Sequence, residues 1–160
     1  MKASESYSDR KRDDQDMDER SLDLPYLREF FAADRFARQA GITIDAVRED
    51  CVECSMPVTP EHLNAGGAVQ GGAVYTLADM AFAVHANLDW AYGAPIGITV
   101  STSCAISFLK SSQGARLYAQ TACVSRGRNM SVYRVTIYDD LGVCIAEMVG
   151  NGYTTPQASR

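Results

Sequence analysis

The sequence predicts an α+β domain in which one curved antiparallel sheet wraps around a single long helix. Two observations carry this reading. The stretch GGAVYTLADMAFAVHANL is apolar on every side, and Asp79 is the one formal charge between Glu61 and Asp89. Such a segment reads as a buried helix rather than a surface one. After Gly93-Ala94-Pro95, four runs rich in Val, Ile, Thr and Tyr follow one another, divided by SSQG, RGRN and DDLG. Those dividers are turn chemistry. Connections this short join antiparallel neighbours, because parallel strands need a crossover of about a dozen residues or more.

In chain order, residues 1–20 are polar and densely charged, and a disordered tail is expected there. A single domain is expected over 21–155, followed by a short tail over 156–160. Between Leu24 and Ala40, apolar Leu24, Leu27, Phe30, Phe31, Ala37 and Ala40 recur at helical spacing, and Gly41 is a stop. Two strands are expected at Ile42–Arg48 and Cys51–Thr59, parted by Glu49-Asp50. Pro60–Val69 is a loop rich in Gly and Asn, and the central helix runs from Gln70 to Leu88. The four later strands are Ile96–Lys110, Leu117–Ser125, Met130–Tyr138 and Val143–Tyr153.

Composition narrows the function. The chain has 160 residues, 46% of them hydrophobic, enough to bury one core. A net charge of −5 argues against a nucleic-acid partner. The first twenty residues hold no apolar run of the kind a secretory signal needs. Ala73 to Leu88 is shorter than the roughly 20 residues that span a bilayer, and it contains Asp79, His85 and Asn87. A cytoplasmic protein with no membrane partner is expected. Five cysteines without an export signal favour reduced thiols. Cys51 and Cys54 form a CxxC, but on a strand they face opposite sides, and only His62 and His85 supply imidazoles. No metal site is expected.

A lone carboxylate in an apolar helix costs several kcal/mol unless it is paired, hydrogen-bonded or protonated, so Asp79 suggests a chemical task. The run HLNAGGAVQGGAVYTLADMAFAVHAN, from His62 to Asn87, resembles the hotdog-fold thioesterases, and more closely their phenylacetate-pathway (PaaI-type) acyl-CoA branch. CAISFLKSS, SRGRNMSVYRVTIYDDLG and IAEMVGNGY extend the likeness over about Asp34 to Thr154. The resemblance implies a hotdog fold, acyl-CoA hydrolysis, and a homodimer that pairs again into a tetramer. Coenzyme A enters only as part of substrate and product, with no metal or redox cofactor.

Under that resemblance, Gly71 and Gly72 open the central helix and leave its first N–H groups uncrowded, where the helix dipole is positive. Such an end is suited to a thioester oxyanion. Asp79 acts as general base on water or attacks the carbonyl through a mixed anhydride. Eight residues separate Gly71 from Asp79, about 12 Å along a helix. One helix therefore cannot bring both to one carbonyl, and the site needs Gly71 of one subunit and Asp79 of another across an antiparallel helix pair.

Asn64 occupies the place of the family's loop Asn, which positions the carbonyl or the water; as plain sequence it is also good turn chemistry. Gln70 stands where the branch usually has His, and it cannot shuttle a proton near neutral pH, although it can still hydrogen-bond. Thr99 and Ser101 are both candidates to orient water. His85 lies about 600° around the helix from Asp79 and reads as a core or interface histidine; His62 reads as an exposed loop residue.

From Trp90 to Tyr138 there is no acid, yet Lys110, Arg116, Arg126, Arg128 and Arg134 fall there. Guanidiniums suit the phosphates of coenzyme A. The turn Arg126-Gly127-Arg128-Asn129 matches the family turn that contacts the nucleotide end. Lys110 is a weaker candidate. Tyr75, Met80 and Phe82 would suit an aryl or medium-length acyl group. The competing class is a non-catalytic acyl-CoA binding or sensing protein, with Gln70 marking lost turnover.

Overall fold

The computed structural model describes residues 25–94 and 96–156. The tail expected over 1–20, and all of 156–160 except Pro156, lie outside them.

The helix expected from Leu24 to Ala40 is two helices, α1 (Pro25–Ala32) and α2 (Arg35–Gln39). Asp34 makes the break. Its backbone is extended (φ −68°, ψ 101°), and its Oδ1 accepts from the N–H groups of Phe36 and Ala37, both at 3.0 Å. An Asp that caps the next helix cannot also continue the previous one. Leu27, Phe31 and Ala37 face the core, whereas Phe36 stays exposed. Gly41, at φ +69°, ends the segment as expected.

Six strands form one sheet: β1 (Thr43–Val47), β2 (Val52–Pro57), β3 (Thr99–Phe108), β4 (Arg116–Arg126), β5 (Met130–Asp139) and β6 (Cys144–Thr154). Their spatial order is β1-β2-β4-β5-β6-β3, and every neighbouring pair is antiparallel. Register shifts at Ile44/Ala46, Ser101/Ser103, Cys123/Ser125 and Ile137/Tyr138 bend the sheet. Cys54 is buried on β2 with Val52 and Met56, and Cys51 lies outside that strand, so the CxxC pair is divided between two environments.

The central helix is α3 (Gly71–Ala86), followed by the single turn α4 (Leu88–Ala91). Val74, Leu77, Ala78, Ala81, Phe82 and Val84 are buried against the sheet. Phe82 meets the Tyr133 ring edge-on at 5.5 Å and lies over β6. A Cβ at Gly150 would come within 3.1 Å of Phe82, and one at Gly152 within 2.7 Å of Thr99 Cγ2. Gly150 therefore lets the sheet close on the helix, and Gly152 leaves room for the Thr99 and Ser131 side chains of the adjoining strands.

The all-apolar composition of α3 predicts a helix buried on every side, but the helix is not covered all round. Gly72 is exposed, and Tyr75, Thr76, Asp79 and Ala83 are half-buried. At spacings of three and four they form one stripe along α3. The sheet curls around the opposite face and stops at β3, whose outer edge pairs with nothing among the described residues.

Two polar residues near the end of α3 hold this arrangement together. His85 is buried, and its Nδ1 lies 2.6 Å from the Thr121 hydroxyl, which in turn accepts from Val52 N–H at 2.8 Å. Burial, with the Arg126 charge adding to it, pushes its pKa down to about 4. The unfolded imidazole takes a proton near 6.5, the folded one only near 4. Stability present above 6.5 is therefore lost as pH falls through that window, by about 3 kcal/mol. The melting temperature should drop between pH 7 and pH 5, and His85→Asn should flatten that slope.

Asn87 ends α3. Its amide donates to Ala83 O (2.9 Å) and Thr99 O (3.0 Å), and its Oδ1 accepts from Thr99 N–H (2.7 Å). One buried side chain thus ties the helix to the first residue of β3. Asn87→Ala leaves buried groups of Thr99 unpaired and is expected to cost about 2–4 kcal/mol, measured by denaturant unfolding.

Candidate active site

Gln70 begins α3 from the N-cap position. Its Oε1 accepts from Ala73 N–H at 3.1 Å, and its backbone carbonyl accepts from Ala73 (2.9 Å) and Val74 (3.2 Å). The Gly71 and Gly72 N–H groups come before the first donor with an intrahelical acceptor, Ala73 N–H, and point out of the helix end. The glutamine side chain is thus spent on a cap, a role that composition alone does not reveal.

The loop before it is tightly drawn. Asn64 Oδ1 accepts from Gly66 N–H (2.8 Å) and Ala68 N–H (3.2 Å), while Leu63 and Val69 form a bridge. Asn64 therefore does serve as turn chemistry, through its oxygen, and only its amide N–H groups remain for a ligand. Gly67, at φ +79°, allows the reversal. Asn64, Gly71, Phe108 and Lys110 line one open groove of about 420 Å³. Lys110, the weaker candidate by sequence, thus sits beside the helix N-terminus.

Asp79 does not line that groove. It stands in the uncovered stripe, and burial pushes its pKa up, with the Asp34 charge as the second cause. One turn before it, Tyr75 is pushed up to about 12, first by a hydrogen bond to Cys104 and then by burial. Cys104 Sγ lies 3.2 Å from Ser101 Oγ. Asp79, Tyr75 and Ser101 are each candidates from sequence, but Cys104 and the link it makes escape sequence reading, because nothing local joins a helix to a strand 25 residues later.

Of the two hydroxyls proposed to orient water, Thr99 is engaged with Thr154 Oγ1 at 2.8 Å and clamped by Asn87, whereas Ser101 is exposed on β3. His62 is half-buried rather than exposed, and its Nδ1 accepts from Thr59 N–H at 3.1 Å.

The Arg126–Asn129 turn joins β4 to β5 as expected, closed by Gly127 N–H to Met130 O at 2.7 Å. Arg126 is paired with Asp89 and donates to the Tyr133 hydroxyl. Asn129 donates to Thr154 O at 3.3 Å. Arg128 is exposed, and no protein group holds it among the described residues. Asp89 lies just past the end of α3, so within one protomer this turn and the Gly71 groove are at opposite ends of the helix.

A model of the thioesterase superfamily matches residues 66–146, a stretch that runs from the Asn64 loop to β6. The chain belongs to the thioesterase superfamily. A putative esterase of Deinococcus radiodurans is 32% identical over 103 residues, 64% of this chain and 66% of that protein. The acyl-coenzyme A thioesterase PaaI of Escherichia coli is 29% identical over 122 residues, 75% of this chain and 82% of that one. The solved structure of the same E. coli PaaI superposes with a TM-score of 0.72 at 25% identity, over 81% of this chain and 91% of that one. A hypothetical thioesterase of Streptococcus pneumoniae, solved with coenzyme A, has a TM-score of 0.69 at 23% identity over 82% and 98% of the chains. The architecture that these superfamily members share with this chain is the hotdog fold.

Proposed function

We propose that this protein is an acyl-CoA thioesterase that works as a homodimer, hydrolysing a thioester to free acid and CoA with no metal or redox cofactor. One observation carries the reading: Asp79 is the only acid in α3, and it stands in the stripe that its own sheet leaves uncovered. An antiparallel partner helix laid on that stripe sets Gly71 of one copy beside Asp79 of the other, twice by symmetry. The free edge of β3, with Val100 and Phe108 exposed on it, supplies a second surface for the same two-fold pairing.

In such a pair the helix N-terminus holds the developing oxyanion while Asp79 activates water or attacks the carbonyl itself. Residues beyond Asp79 then run past the partner's Gly71, toward the partner's Asn64 loop. The Arg126–Asn129 turn, at that end of the helix, is positioned for the phosphates of coenzyme A. Arg128 is the freer of its two guanidiniums. A thiolate is a good leaving group, so the loss of acid assistance at Gln70 is tolerable, and pairing of dimers into a tetramer leaves this cleft intact.

Hydrolysis of acetyl-, hexanoyl- and phenylacetyl-CoA, followed with a thiol reagent, tests the reading. Turnover in a particle that sediments as a dimer or tetramer supports it. Tight acyl-CoA binding without turnover would instead favour the sensing function, for which Gln70 in its capping pose is the supporting observation.

A further inference from the structure

A cleft of about 320 Å³ lies between α1–α2 and β1, away from the Gly71 groove. Phe31, Ala37, Ile42 and Ile44 give it apolar walls, and Met80, the residue after Asp79, reaches its floor. Arg28 lines it too, donating from Nη1 to Ile44 O at 2.7 Å and so tying α1 to β1. Asp34, at the α1–α2 corner, also lines this cleft, and it is the residue whose charge acts on Asp79. The cleft therefore reaches from the neighbourhood of the proposed catalytic acid into the protomer. Its size is at the lower end of small-molecule pockets, about 300–1,000 Å³.

Phe82 cannot serve as the acyl-pocket wall that its sequence position suggests, because it is 1% exposed and packs against Gly150 of β6. The apolar space that Met80, the residue after Asp79, reaches is on the other side, under α1 and α2. We propose that this cleft receives the acyl chain of the thioester attacked at Asp79 of the same protomer, and that it takes compact apolar acyl groups of short to medium length. The proposal rests on the reading of Asp79 as the hydrolytic centre. It makes α1 and α2 the elements that set acyl-chain selectivity, leaving the central helix and the loops to the thioester and the cofactor end.

The test uses the full-length chain and a non-hydrolysable ligand, S-hexyl-CoA (a thioether), with free CoA as reference, both measured by calorimetry. The wild type should bind the thioether at least ten-fold more tightly than CoA. Ala37→Leu fills the cleft from a buried position, and Ala32→Phe fills it from an exposed one that the fold tolerates. Each should cut the chain's gain to less than three-fold and lower the hexanoyl-to-acetyl ratio of kcat/KM by ten-fold or more. If Ala37→Leu does not fold, Ala32→Phe decides alone. A gain undiminished in the folded variants, or no gain in the wild type, overturns the proposal. A wild type without turnover strikes the hydrolase reading instead, and turnover surviving in Asp79→Asn strikes the role of Asp79, while the binding comparison still reads the cleft.

Discussion

Asp79→Asn is expected to lower kcat/KM for acyl-CoA hydrolysis by about 10²–10⁴-fold, the range a positioned base contributes. The fold should not suffer. Burial, then the Asp34 charge, pushes the folded carboxyl above its ordinary range, so the folded chain binds that proton more tightly than the unfolded one does. Ionising Asp79 above its raised pKa therefore costs stability at neutral pH, and asparagine removes the cost. The melting temperature of the variant at pH 7 should equal or exceed that of the wild type. For the wild-type rate the sign is opposite: hydrolysis should fall as pH drops through the raised value, because only the carboxylate takes a proton or attacks. A variant that is both inactive and markedly less stable would show Asp79 to be structural. The two titrations also interact, since His85 loses stability toward acid where Asp79 gains it. The His85 slope is therefore cleanest in the Asp79→Asn background.

The second large effect is a recovery of activity. Gly71→Val adds a Cβ where Phe108 Cζ would lie 3.0 Å away, and it crowds the helix N-terminus. The contact is to the far end of the Phe108 side chain, which is exposed in the protomer and can move aside, so the variant should fold and lose at least ten-fold in kcat/KM, since one oxyanion donor alone is worth about 10²-fold or more. Asp79→Asn and Gly71→Val are then each close to inactive as homodimers. Unfolded together and refolded in equal amounts, they pair at random, and half of the dimers are mixed. Each mixed dimer has one site with both residues intact, so about a quarter of the wild-type rate should return. A mixture that shows exchanged subunits by mass tagging, yet no activity above the two parents, would end the shared-site reading.

Much of this was legible in the chain because it is local. The period of GGAVYTLADMAFAVHANL, the short turns RGRN and DDLG, and the eight-residue interval from Gly71 to Asp79 depend only on neighbours in sequence. Backbone geometry converts them into a helix, hairpins and a distance. The helix after Leu24 was legible in part: its apolar spacing is right, but Asp34 chose to cap a second helix with its carboxylate. That choice between continuing and capping lies below what periodicity resolves.

By itself, then, the sequence determined the sheet-around-helix architecture and the one acid within α3, and it implied that Gly71 and Asp79 could act on one carbonyl only across two copies. Only the tertiary structure decided which partner each polar side chain takes. Gln70 turned to the helix end, Asn64 spent its oxygen on its own loop, Arg126 went to Asp89 and Tyr133, and Asn87 reached across to Thr99. It also decided that the sheet stops short of Gly72, Tyr75, Thr76, Asp79 and Ala83. The reason is physical: a hydrogen-bonding group accepts any suitable partner that the fold brings within about 3 Å. Which partner arrives depends on how six strands curl around one helix, and no single stretch of chain encodes that.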